Sequence, residues 1–264
     1  MTTASVNGAE LYYEERGSGP PLLLIHGTGA HTDLWTPVVD GLARTHRVIA
    51  YDRRGFARST PSRARFADHA RDAAALLRAL DAAPATVVGW SGGGVVALDL
   101  AASDPDCVTE LFLAEAAVHL LTRPTRTMLT MQAKQSARRY VRRDKEAAAQ
   151  TMYRWSSGWS TGGNAFDGIP QDWQDRMVGS AASTLREMDQ MLRLYPSRKA
   201  ISSITCPVTL IEGDLSDKAF PKADAFLSRL LPQARLVTLP EAGHFLHVDQ
   251  PERFVEAIAP TLSE

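Results

Sequence analysis

A serine flanked by glycines, Gly89-Trp90-Ser91-Gly92-Gly93, follows the apolar run Thr86-Val87-Val88 and precedes a helix-like stretch from Gly92 to Ala102. A strand that turns sharply into a helix strains its central residue and lifts that side chain clear of the sheet, while small neighbours allow close approach. The helix starting there aims free N–H groups and its positive dipole end at whatever the serine attacks. Serine is a weak nucleophile until a base takes its proton. His244 lies in Ala242-Gly243-His244-Phe245, in a loop after the last apolar strand, Ala234 to Leu239, and before the last helix. A neutral imidazole there can accept the hydroxyl proton and return it to a leaving group. Three carboxylates close strands and could orient that imidazole: Glu115 after Leu111-Phe112-Leu113-Ala114, and Asp214 and Asp217 after Val208-Thr209-Leu210-Ile211.

These residues need a scaffold that brings distant strand ends together. Residues 9–16 alternate as an early strand, and Leu22 to Ile25 is a short apolar run closed by His26-Gly27-Thr28-Gly29. Runs of that kind read as strands buried on both faces. Further strands are expected at Arg47 to Asp52, Thr86 to Gly89, Leu111 to Ala114, Val208 to Ile211 and Ala234 to Leu239. Helices are expected at Trp35 to Leu42, over 66–81, at Gly92 to Ala102, Ala219 to Leu231 and Pro251 to Ala259. Strands alternating with helices imply an α/β fold: a mostly parallel sheet flanked by helices, with right-handed crossovers. The alternation stops over 116–200, a helical stretch expected as a cap inserted between two strands. The domains are therefore set as 1–116 with 200–264 for the core, and 117–199 for the cap. Met128, Met131, Met152, Met177, Met188 and Met191 lie in or beside this stretch, as do Trp155, Trp159 and Trp173. Soft thioethers and large rings suit an apolar binding cavity. Trp90, Trp155 and Trp173 are expected to touch substrate. Arg138, Arg139, Arg142, Arg143 and Lys145 read most simply as the solvated face of a cap helix, with contact to a substrate carboxylate or a partner as the alternative.

Composition narrows the class. The 264 residues carry 29 Lys plus Arg against 30 Asp plus Glu, a formal charge of −1, with no footprint for nucleic acid or an anionic membrane. Hydrophobic residues at 44% and charged residues at 22% are ordinary for a globular chain, which argues against disorder. Apolar runs fall far short of the roughly 20 residues that span a bilayer. The first residues lack the basic start and apolar stretch of a secretory signal, so a cytoplasmic enzyme is expected. Cys107 and Cys206 form no zinc-spaced cluster and no disulfide framework, so neither metal nor cofactor is expected. Gly27-Thr28-Gly29 and Gly92-Gly93-Gly94 match neither nucleotide-binding glycine pattern. Small-molecule substrates are the expected partners, and a homodimer through the cap or the sheet edge stays open.

The motifs together resemble the α/β-hydrolase superfamily over essentially the whole chain. His26-Gly27-Thr28-Gly29 resembles its oxyanion loop, and Tyr51-Asp52-Arg53-Arg54-Gly55-Phe56-Ala57-Arg58-Ser59 its D-x-R-G-x-G-x-S turn, with Ala57 in place of the usual glycine. Gly89 to Gly93 is similar to the nucleophile elbow, and Gly243-His244 to the turn carrying the base. The resemblance implies oxyanion-hole amides at Gly92 and Thr28, and a loop-fixing role for His26. His247 reads as structural, and His31, His46, His69 and His119 sit in no motif. Most relatives place the acid three residues after the glycine that here is Gly213, but that position is Ser216. Some branches, haloalkane dehalogenases and fungal zearalenone lactone hydrolases among them, keep it one strand earlier. The acid is therefore placed at Glu115, with Asp217 and Asp214 as alternatives. The expected activity is hydrolysis of a small-to-medium, largely apolar ester or lactone through an acyl-enzyme on Ser91. Carbon–carbon bond hydrolysis and cofactor-free perhydrolysis use the same triad, and a non-catalytic ligand receptor can share the fold. A serine elbow argues against a dehalogenase or epoxide hydrolase, whose relatives need an aspartate there.

Overall fold

In a computed structural model, residues 2–191 and 196–259 are described, with the backbone alone at 119 and 120. The side chain of His119 thus falls outside the described residues. Eight strands form one sheet: β1 Thr3–Val6, β2 Ala9–Arg16, β3 Pro21–Ile25, β4 Arg47–Tyr51, β5 Ala85–Trp90, β6 Val108–Ala114, β7 Val208–Gly213 and β8 Arg235–Leu239. Their order is β1-β2-β4-β3-β5-β6-β7-β8. β1 and β2 join antiparallel at one edge, and every pairing from β4 through β3 to β8 is parallel.

Side chains of the central strands alternate between two apolar layers, as the two-residue period requires. Leu23, Ile25, Val87, Leu111, Leu113 and Leu210 face one layer with α2 Phe66–Ala79 and α3 Gly92–Ser103. Leu22, Leu24, Val88, Phe112, Ala114 and Ile211 face the other, which contains Trp35, Val38 and Leu42 with Phe254 and Ile258. Those last residues belong to the region of α1 Thr36–Leu42 and to the C-terminal helix described below. Burial on both faces explains why these strands read as unbroken apolar runs.

Between β6 and β7 the chain forms α4 Arg126–Ser136, α5 Lys145–Ser156, α6 Gln171–Gly179, α7 Ala181–Met191 and α8 Arg198–Ser202. A π-helical turn, Ala137–Val141, continues α4. After β7 come α9 Ala219–Leu230, α10 Leu246–Asp249 and α11 Pro251–Ile258. Two elements escaped the sequence reading. β1 is four residues long with one buried side chain, and α10 is a single turn, so neither carries enough periodicity to register. No helix among the described residues is long and apolar enough to cross a membrane.

Candidate active site

The register of β5 and β6 sets the site. Trp90 pairs with Ala114, so the next residues, Ser91 and Glu115, leave neighbouring strands at the same level. Ser91 has φ 54° and ψ −120°, and its N–H donates to the Ala114 carbonyl at 3.0 Å. Its carbonyl accepts from Gly94 N–H and Ala117 N–H, each at 2.9 Å. Close approach explains the glycines here. A Cβ on Gly92 would strike the Thr28 hydroxyl and stand 3.0 Å from the Thr28 nitrogen, and one on Gly93 would strike the Ile25 carbonyl. Gly92 is the first residue of α3, so its N–H has no partner within the helix. The Gly92 and Thr28 backbones therefore face each other beside Ser91.

Glu115 is fully buried at φ 45°. Its Oε1 accepts from Gly213 N–H at 2.9 Å, and its Oε2 lies 2.6 Å from Nδ1 of His244, which is 1% exposed. A buried carboxylate needs such donors. Phe220 at the start of α9 stacks on the imidazole, with ring centroids 3.8 Å apart. Trp90 Nε1 donates to the His244 carbonyl at 2.8 Å. Neither alternative carboxylate is bonded to His244, whose Nδ1 faces Glu115. Asp214 is exposed, and Asp217 accepts from the Ala219 N–H at 2.9 Å and from the Thr127 hydroxyl, tying the start of α9 to α4. At the position where most relatives carry the acid, the Ser216 hydroxyl is buried without a partner among the described residues.

His26 sits beneath the loop before α1. Burial first, and the neighbouring Arg53 charge second, push its pKa down to about 3, so the ring is neutral. Its Nε2 accepts from Arg53 N–H at 2.9 Å, which leaves Nδ1–H to donate to the Gly27 carbonyl at 2.8 Å. In the turn after β4, Ala57 has φ 42°, the left-handed conformation that makes glycine usual there.

A cavity of about 360 Å³ opens at Ser91 and Thr28. Met128, Met131, Met152, Met188, Met191, Trp155 and Phe220 line it, with Gln132, Gln135, Arg139, Tyr140 and Asp189 among its polar residues. Phe220 thus joins the cavity wall to the His244 ring. Among the expected substrate contacts, Thr28 and Trp155 line this space and Gly92 abuts Thr28. Trp90 and Trp173 are not in the wall. Trp90 is 2% exposed and packs edge-on against Phe245 and His247, because its indole N–H is held by His244. Trp173 belongs to the apolar layer on the α1 side, and its carbonyl bonds to His31. Trp159 lines a separate groove with Lys218 and Lys222, and Met177 is buried away from the cavity.

Within the basic run, Arg139 departs from the solvated-face reading. Its guanidinium pairs with both carboxylate oxygens of Asp189 on α7, at 2.9 and 2.6 Å. The solvated-face reading assumed a regular 3.6-residue turn, whereas the wider π turn brings Arg139 and Tyr140 to the cavity wall. Sequence reasoning missed Phe220 and Glu187, whose partners lie far away in sequence. No group of three metal-ligating side chains is present among the described residues.

A protein named pimeloyl-[acyl-carrier protein] methyl ester esterase, from Chromobacterium violaceum, is 30% identical and aligns over 94% of this chain and 96% of its own length. A thermophilic esterase structure from Thermogutta terrifontis superposes with a TM-score of 0.78 at 26% identity, covering 97% of this chain and 94% of that one. The fold also matches an enol-lactonase from Burkholderia xenovorans, with a TM-score of 0.78 at 21% identity, over 97% and 98% of the two chains. The sequence pattern of the alpha/beta hydrolase fold matches residues 20–251, and the chain belongs to that family of hydrolases.

Proposed function

We propose that this hydrolase cleaves a small-to-medium, largely apolar carboxylic ester or lactone through an acyl-enzyme on Ser91. The observation that carries this reading is the buried 2.6 Å contact between Glu115 Oε2 and His244 Nδ1. With Nδ1–H donating to the carboxylate, Nε2 carries a lone pair and serves as the base for Ser91. Ser91 Oγ attacks the substrate carbonyl carbon as His244 takes its proton. The tetrahedral oxyanion is received by the Gly92 and Thr28 N–H groups. Collapse breaks the bond to the leaving alkoxide, which His244 protonates. Water, deprotonated by His244, then attacks the acyl carbon and releases Ser91. Glu115 stabilises the imidazolium that forms in each half-reaction. Residues 117–199 act as a cap over the core of 1–116 and 200–264, and their methionines take up the apolar part of the substrate. Support for ester or lactone chemistry also comes from the esterase and lactonase names of the relatives above.

Ser91→Ala removes one oxygen from the elbow with little loss of packing. Turnover of a nitrophenyl ester is expected to fall by more than about 1,000-fold with unchanged circular dichroism, the scale seen when a triad nucleophile is lost. A purified variant retaining a few percent of wild-type kcat removes Ser91 from the nucleophile's role.

A further inference from the structure

Arg53 and Glu187 form a buried two-pronged ion pair between the core and α7. Arg53 is 0% exposed and Glu187 4%. Arg53 Nη1 lies 2.8 Å from Oε2 and Nη2 lies 2.9 Å from Oε1, while His69 Nε2 stands 3.3 Å from Oε2. Burial alone pushes the Glu187 carboxyl up, but Arg53 and His69 outweigh it and hold the group well below the usual carboxylate range. Such a pair is a poor device for stability, because desolvation consumes most of the attraction and apolar replacements of similar volume are often as stable.

Its second set of contacts explains its presence. Arg53 Nη2 donates to the Gly27 carbonyl at 3.0 Å, beside His26 Nδ1 at 2.8 Å and Ala30 N–H at 3.2 Å. The Gly27 carbonyl and the Thr28 N–H belong to one planar trans peptide, so they point in opposite directions and fixing one aims the other. Glu187 Oε1 accepts from the Thr28 hydroxyl at 2.6 Å. It also stands 3.2 Å from where a Cβ on Gly92 would be, so it lies beside both oxyanion donors. An unpaired carboxylate there would oppose a developing oxyanion, and Arg53 neutralises it.

We propose that Glu187 and Arg53 are positioning residues for the oxyanion hole: α7 delivers the carboxylate that locks Arg53 and Thr28, so the Gly27–Thr28 amide is aimed only while the cap is seated. The inference rests on Ser91 being the nucleophile. Its test is the paired substitution Arg53→Met with Glu187→Leu, which removes both charges together. On a nitrophenyl ester, kcat should fall about 10- to 100-fold, less than the roughly 100- to 1,000-fold seen on outright loss of one oxyanion donor. KM should change less than about threefold and Tm less than about 5 °C, since binding and the fold are largely spared. Affinity for an alkyl boronic acid, whose Ser91 adduct places a hydroxyl in the oxyanion hole, should weaken by the same factor as kcat. Wild-type kcat with weakened boronate binding absent, or a lower Tm with undiminished kcat per folded enzyme, overturns the proposal. If the paired variant does not fold, Glu187→Gln keeps the volume but leaves the Arg53 charge unpaired. Tm is then expected to fall, while kcat per folded enzyme and boronate affinity again drop together about 10- to 100-fold; undiminished kcat per folded enzyme overturns the proposal here too. A fluorophosphonate probe on wild-type enzyme separates the two failures. An unlabelled Ser91 sinks the nucleophile reading, whereas a labelled Ser91 with undiminished variant kcat sinks only the clamp.

Discussion

Ser91 and Glu115 both have positive φ, 54° and 45°, although neither is glycine. Strain of that kind costs of order 1–3 kcal/mol per residue and persists only where the surroundings over-determine it. Here the sheet does so: Ser91 N–H is held by Ala114 and Glu115 N–H by Ile211 at 3.0 Å each. His247 shows a different residue-scale effect. It is 0% exposed between Trp35, Trp90 and Phe254, and neither ring nitrogen has a partner among the described residues. Burial first, then the His244 charge, pushes its pKa down to about 3. The unfolded chain binds this proton near pH 6.5 and the folded chain does not, so the stability His247 lends is present above pH 6.5 and is lost as pH falls toward 3. Between pH 7 and pH 5 this amounts to about 2 kcal/mol. In urea titrations at the two pH values, His247→Leu should lose about 2 kcal/mol less than wild type on acidification. Equal losses would mean that His247 carries a proton in the folded protein. The sequence reading of His247 as structural agrees with its packing among these rings, away from the cavity wall.

At the scale of elements, legibility followed burial. The inner strands and α3 stand where unbroken apolar runs put them, because both faces of the sheet are covered. The elbow, the Gly243-His244 turn and the oxyanion loop were legible because each needs particular small residues at fixed spacing. Glu115 was placed from its position at the end of an apolar strand together with the resemblance to branches that keep the acid there. It meets His244 across the end of β7, the strand between β6 and β8, where Gly213 N–H also bonds it. The helical segment was less legible. Helical periodicity tells which residues are buried, but not which buried face lines a cavity and which packs on the core. Trp155 lines the cavity and Trp173 does not, although both are large rings on amphipathic helices and both pack against the same apolar layer. Met152 on α5 tests the cavity as a chain-length gauge. Met152→Trp puts a rigid bicycle where a flexible thioether stood, so kcat/KM for an octanoate nitrophenyl ester should fall at least about tenfold relative to acetate, roughly 1.4 kcal/mol. An unchanged octanoate-to-acetate ratio would show that the acyl chain does not enter between these methionines.

Over the whole molecule, the site is the product of topology. Ser91 follows β5, Glu115 follows β6 and His244 follows β8, and parallel strands deliver all three loops to one edge of the sheet. The segment between β6 and β7 adds the cavity wall and, through Glu187, reaches back to the loop after β3. The central claim is that the acid comes from β6, with Asp217 reduced to joining α9 and α4. Glu115→Gln and Asp217→Asn are isosteric and each removes one charge, so the comparison of their kcat values on one ester tests the claim directly. The corresponding change of acid to amide in a serine protease costs about 10⁴ in kcat. Glu115→Gln is expected to lose at least about 1,000-fold with the fold preserved, and Asp217→Asn less than about fivefold. A crippled Asp217→Asn beside a nearly normal Glu115→Gln would contradict the assignment and move the acid to the loop after β7.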